Sequence, residues 1–151
     1  MLAFDVLVYV GSAVHLLNLA YSICCYDIPF LTAKDKTAAI AQSHTYYTQR
    51  GTKLPYRLIP IFCLIVLAGV IGNIATEHDT ALASSVIALL LCIPVGIMAN
   101  TILVVNVVNK MKASEDGGES TTESDLYRIF VGHWFAVTYF VIIIVCIALK
   151  F

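Results

Sequence analysis

Residues 129–149 read IFVGHWFAVTYFVIIIVCIAL, a run without a single Lys, Arg, Asp or Glu. About 20 apolar residues at 1.5 Å rise cross a hydrocarbon core about 30 Å thick, so the run reads as a membrane span. Polar groups in hydrocarbon cost free energy unless they are paired. Gly132-His133-Trp134 and Thr138-Tyr139 are therefore the positions within it that point to function.

Working outward, comparable apolar stretches occupy residues 6–23, 54–75 and 81–108. Across all 151 residues the apolar fraction is 60% and the charged fraction 13%, against roughly 45–50% and 25% in soluble domains. The expected fold is all-α: one domain over residues 1–151, an integral membrane four-helix bundle in contact with the lipid bilayer. The first stretch has no basic flank, carries Asp5 and lacks a small-residue cleavage motif, so it reads as a retained span rather than a secretory signal. The segment 113–124 is rich in Ser, Thr, Glu and Gly and cannot bury apolar surface; it reads as a mobile loop.

Charge sets the topology. Of nine Lys and Arg residues, Lys34, Lys36, Arg50, Lys53 and Arg57 fall between the first two spans. Lys110, Lys112 and Arg128 fall between the last two, leaving Lys150 alone on the other side. Translocation disfavours Lys and Arg, so both loops are expected on the cytoplasmic face and both termini on the opposite one. The endoplasmic reticulum or plasma membrane is the default location. The net charge of −1 and the lack of a basic stripe argue against nucleic acid as a partner.

In the first loop, Thr32-Ala-Lys-Asp35 resembles a helix-capping box, which predicts a short helix over residues 36–49. The turn Glu77-His78-Asp79 clusters three ligand types, but adjacent positions rarely converge on one ion, so no metal site is expected. The five cysteines contain no Cys-x-x-Cys pair and read as free thiols.

Ser12, His15, Asn18 and Ser22 recur at three- and four-residue spacing and line one helix face. The plain reading is hydrogen bonding between helices; the sharper one is a histidine that exchanges protons near neutral pH. Gly11 beside them admits a close helix crossing. In the third span, Pro94 predicts a kink. Asn100, Asn106 and Asn109 do not share one stripe, so one subset is expected to face the interior. His133 and Asn109 sit at similar depth near the basic face, which makes a His–Asn–His pocket with His15 plausible in geometry.

At these residues the chain resembles the anthrone oxygenase-like family of small four-span membrane proteins. The resemblance runs through Tyr26-Asp-Ile-Pro29 and through Tyr46-Tyr-Thr-Gln-Arg-Gly51 with Pro55. It continues in Pro94 followed by Thr101-Ile-Leu-Val-Val-Asn-Val-Val-Asn109, and in His133 opening the fourth span. The chain departs from the family pattern at Val107, Ile129 and Ala136, where Pro, Trp and Arg are usual. The resemblance implies oxygenation of a polyketide anthrone to an anthraquinone without a cofactor. It implies His133 as general base and Asn109 and Thr101 as donors to the enolate oxygen. His15 and Asn18 would form a second donor set, with Trp134, Tyr21 and Tyr139 as ring-stacking walls for a small aromatic substrate.

Two other classes stay open at this point. One is an accessory subunit that docks on a larger membrane complex or self-associates, since Asn, Ser and Gly also glue helices together. The other is a membrane enzyme resembling glutathione transferases of this size, whose cytoplasmic signature has no clear match in the chain.

Overall fold

The computed structural model describes residues 3–50, 54–76, 86–88, 90, 96, 98–115, 118 and 120–149. Every regular element among them is helical. Helix α1 runs without a break over Ala3–Thr32. Helix α2 (Lys36–Thr45) continues into a wide π turn, Tyr46–Arg50. Helix α3 is Leu54–Thr76. Helix α4 runs through Met98–Asn100, a π turn at Thr101–Val105, and Asn106–Glu115. Helix α5 is Glu123–Leu149. Pro94 and the turn Glu77-His78-Asp79 lie outside the described residues, as does most of the first half of the expected third span.

Helices α1 and α5 are long and apolar enough to cross a membrane. Only 39% of the most apolar window of α1 and 33% of that of α5 are buried. The rest presents residues such as Leu17, Trp134, Phe135 and Val145 outward.

The apolar residues of α1 that do face inward alternate with polar ones. Asp5, Val8, Ser12, His15, Leu19 and Ser22 are all buried, at the spacing of one helix face. A π turn then spans Ile23–Asp27, with the Ile28 N–H bonding back to the Ile23 carbonyl. That turn buries Ile23, Tyr26 and Asp27. It also falls just before Pro29, whose missing N–H would otherwise leave a gap in the ladder.

The chain leaves α1 at Ala33, and Lys36 caps that helix end. Its ammonium donates to the carbonyls of Phe30 (2.6 Å) and Leu31 (3.0 Å) and sits 4.7 Å from the centre of the Phe30 ring. The expected short helix is present, but its cap differs. Asp35 accepts from the N–H groups of Thr37 and Ala38. Thr32 is still helical and returns its hydroxyl to the Ile28 carbonyl at 2.9 Å, so it cannot serve as a cap.

Helix α3 packs on α1 through glycines. A Cβ on Gly69 would stand 2.7 Å from Val8 Cγ2 and 2.8 Å from the Phe4 carbonyl. One on Gly11 would stand 2.8 Å from Val66 Cγ2, and one on Gly72 would overlap the Phe4 ring. Without side chains there, the two backbones approach closely. Beside this crossing, Asn73 donates its amide to Asp5 at 2.9 Å, both residues being buried.

The core has two parts. Val8, Leu19, Val66, Val70, Tyr139, Phe140, Ile143 and Ile147 fill the half nearer Asp5. Tyr26, Phe30, Tyr46, Tyr47, Val107, Met111, Leu126 and Ile129 fill the other. The segment expected to be a mobile loop, 113–124, is structured at both described ends. Helix α4 continues to Glu115, and Gly118 N–H bonds the Ala113 carbonyl at 3.1 Å. At the far side Thr122 and Asp125 cap each other's backbone, with the Thr122 N–H bonding the Asp125 carboxylate at 2.9 Å. A Thr-x-x-Asp box thus starts α5 earlier than hydropathy suggests.

Candidate functional site

His133 lies on α5 and its side chain is 6% exposed; Asp27, in the π turn of α1, is 5% exposed. Their atoms Nδ1 and Oδ2 are 2.7 Å apart. A carboxylate only accepts hydrogen bonds, so with Asp27 as acceptor Nδ1 is the donor of this contact, which leaves Nε2 as the other ring nitrogen. A carboxylate behind an imidazole fixes its tautomer and orientation and stabilises the cation formed when Nε2 takes a proton.

The pair is built by departures from regular helix. Asp27 sits buried in the π turn of α1. Gly132 lets the π turn of α4 press against α5, since a Cβ there would meet Val104 Cγ2 at 2.6 Å. The π turn that ends α2 supplies Tyr46 and Tyr47. Inserted turns of this kind occur mostly as isolated bulges and are frequent at functional sites.

A cluster of aromatic rings reaches His133 through Tyr47. Tyr26 and Tyr46 stack at 3.6 Å with an interplanar angle of 19°. Tyr47 is edge-on to Tyr46 at 5.0 Å and its ring centre is 6.4 Å from that of His133. Tyr127 meets Phe30 edge-on at 5.2 Å. Beside these rings, between the end of α1 and α2, lies a cavity of about 270 Å³. Tyr26 and Phe30 form its apolar floor, with Asp35, Gln42 and Ser43 among its polar lining. Neither Asp27 nor His133 lines it.

The residues expected at the site separate into groups. His133 is central. His15 is also buried, its ring 4.3 Å from that of Phe140. Asn18 is half-buried. Tyr139 is buried in the other core, edge-on to Phe140 at 5.2 Å. Tyr21 and Trp134 are about half exposed, at 49% and 50%. Thr101 and Asn109 are exposed, so they do not join His133.

The expectation that a subset of the α4 asparagines faces inward is not met. Asn100, Asn106 and Asn109 are all exposed, while Val104, Val107 and Met111 form the inward row. Burying the valines and the methionine costs nothing, whereas an inward amide needs a partner.

Asp27 is the residue that sequence reasoning missed. Its signal was available: an acid just past an apolar span, with a histidine just inside another span on the same face. Asp5 was likewise passed over as a flanking acid. Among the described residues no group of three or more His, Cys, Asp or Glu side chains could hold a metal ion.

The helices behind α2 are tied together by polar contacts. His44 Nε2 lies 3.1 Å from the Met111 carbonyl and 3.0 Å from Ser114 Oγ. Lys110 pairs with Asp125 at 2.9 Å. Burial alone would raise the Asp125 pKa. Hydrogen bonds from Lys110 and from the Thr122 backbone and hydroxyl, with the Lys110 charge, outweigh it and hold the carboxyl below its ordinary range. Set beside known proteins, the chain matches no family model, no curated protein and no solved structure.

Proposed function

We propose that this chain is a four-span integral membrane protein in which Asp27 and His133 provide the general base for cofactor-independent oxidation of a small apolar aromatic substrate. The buried 2.7 Å contact between His133 and Asp27 carries the reading. The outward apolar side chains support the membrane part. Leu17 is 71% exposed, and Leu64 and Leu90 are each 63% exposed, a surface suited to lipid and costly in water. The basic loops support a dyad near the cytoplasmic face, with the endoplasmic reticulum or plasma membrane as the default location.

The chemistry needs little beyond a base and a dry pocket. A methylene between aromatic rings and conjugated to a carbonyl gives up a proton to His133 Nε2, and Asp27 stabilises the imidazolium. The carbanion passes an electron to dioxygen, and recombination forms a C–O bond. The resulting peroxide anion takes the proton back. Loss of the second C–H proton then breaks the O–O bond, leaving a ketone and water. The balance is one methylene plus O2 to one carbonyl plus H2O. Tyr26, Tyr46 and Tyr47 form the ring walls in this version, in place of the outward Tyr21 and Trp134.

The test is oxygen uptake by the purified chain in lipid nanodiscs with an anthrone under air. The parent should consume oxygen above the lipid blank. His133→Ala should fall to that blank, and Asp27→Asn should lose roughly 10²-fold or more, the scale of a general base. A parent no faster than the blank rules out anthrones as the substrate class.

A further inference from the structure

Neither member of the dyad lines the cavity between the end of α1 and α2. On one side of it Tyr26, Pro29, Phe30 and Ala33 recur at helical spacing along the end of α1. On the other, Ala38, Ala39, Gln42 and Ser43 recur along α2, with Asp35 at its start. Residues three and four apart share a helix face, so two faces meet across the opening. The alanines leave room in the middle of the α2 face, between polar residues at its two ends. Asp35 and Ser43 are eight residues apart, about 12 Å along a helix. The space is about 270 Å³. That falls below the roughly 300–1,000 Å³ of drug-sized pockets and suits one or two rings.

Both polar ends have bonding capacity left over. Ser43 is 4% exposed, yet among the described residues its hydroxyl has no hydrogen-bond partner. Thr45 and Thr48, just beyond it, return theirs to the carbonyls of Ala41 and His44, each at 2.9 Å. A buried hydroxyl is rarely left unsatisfied. At the other end, Asp35 Oδ1 takes both capping N–H groups. That fixes the carboxylate and leaves Oδ2 without a partner among the described residues. Asp35 is also the one charged side chain among the described lining residues, and it repels anions. Lys34 and Lys36 flank it in the chain and offset its pull on cations. Tyr26 and Phe30 supply an aromatic surface against which rings pack.

We propose that this cavity binds a neutral one- or two-ring aromatic molecule with a hydroxyl at each end. One hydroxyl donates to Asp35 Oδ2 and the other pairs with Ser43. The rings lie over Ala38 and Ala39, against Tyr26 and Phe30. This is a second binding site, apart from the dyad, and it stands whether or not the dyad oxidises a substrate.

The test follows carbon-13 alanine methyl groups of the full chain in nanodiscs, with naphthalene-2,6-diol as the ligand. Ala33, Ala38 and Ala39 line the cavity. Ala13, Ala20 and Ala148 are exposed on α1 and α5 and report ligand dissolved in lipid. The first three methyls should shift saturably in the parent. Asp35→Asn still caps α2; it and Ser43→Ala should each weaken binding about 5-fold, the worth of one hydrogen bond. Ala38→Leu, at an exposed position, should abolish the saturable shift by filling the cavity. Naphthalene-2,6-dicarboxylate, the same rings with two negative charges, should leave the three methyls unshifted. Parental affinity in Ala38→Leu, equal binding of the dicarboxylate, or shifts confined to Ala13, Ala20 and Ala148 overturns the proposal. If Ala38→Leu folds poorly, Asp35→Asn and Ser43→Ala decide, and parental affinity in both overturns it as well.

Discussion

Helix α1 carries a buried acid toward each end, and the two are treated differently. Asp5 meets the Asn73 amide at 2.9 Å, a partner that does not titrate, beside backbones brought together by Gly11, Gly69 and Gly72. Asp27 meets an imidazole at 2.7 Å, in a π turn, among tyrosines drawn from two helices. The first arrangement fixes a crossing; the second holds a proton acceptor in one orientation. The same residue type on one helix therefore serves as packing at one end and as candidate chemistry at the other. What decides is the partner's ability to change protonation state.

The largest effect should come from spoiling the Asp5 end. Gly69→Leu would drive a side chain into Val8 and the Phe4 carbonyl, and backbone cannot move aside as a flexible side chain can. Overpacking costs about 1–3 kcal/mol and sometimes more; with backbone in the way, the upper end or failure to fold is expected. Size-exclusion and thermal unfolding in detergent measure it. A Gly69→Leu protein with parental Tm would show that the crossing is not close-packed.

Next come the two acids themselves. Asp27→Ala leaves the buried His133 ring without its acceptor, and an unsatisfied buried donor costs about 1–3 kcal/mol. Asp27→Asn keeps an acceptor oxygen and should cost about 1 kcal/mol, while removing the charge that stabilises the imidazolium. The same Asp→Asn exchange at Asp5 should leave oxygen uptake at parental level. Equal loss of uptake in Asp5→Asn and Asp27→Asn would break the contrast between the ends.

Much of this was readable in the sequence, and the misses have physical causes. Hydropathy locates α1 and α5 because both are long and apolar enough to cross a membrane. His133 stands out for the same reason. Gly11 was legible as a close approach, since only a missing side chain admits one. The π turns were not, because one inserted residue leaves no mark in composition. Helix α4 shows the same limit. Thr101 and Asn109 looked inward by depth, but depth says nothing about helix rotation, and the inward row is Val104, Val107 and Met111.

A smaller effect distinguishes two caps that sequence alone confuses. Asp35→Ala should destabilise by about 1 kcal/mol, the usual worth of an N-cap. Thr32→Val should be near neutral, because the Thr32 hydroxyl only returns to the Ile28 carbonyl. Reversal of that order in thermal unfolding would restore the Thr32-Ala-Lys-Asp35 box and move the start of α2.

The smallest effect tests how the Asp27 end is held shut from outside. Lys110 and Asp125 join α4 to α5 at 2.9 Å, with the lysine side chain 31% exposed. A pair open to solvent on one side contributes little, about 0.5–1 kcal/mol, so Lys110→Met should lower Tm by only a few degrees. The pH dependence carries a definite sign. The Asp125 carboxyl titrates lower in the folded chain than when free, so the unfolded chain binds its proton first as pH falls. The stabilisation is then complete above the ordinary aspartate pKa of about 3.9 and disappears as pH drops through the folded value. Asp125→Asn should remove that part of the acid-side loss while leaving the neutral-pH curve shallowly shifted. An unchanged acid limb in Asp125→Asn would mean that α4 and α5 are held at this end by Met111, Leu126 and Ile129 alone.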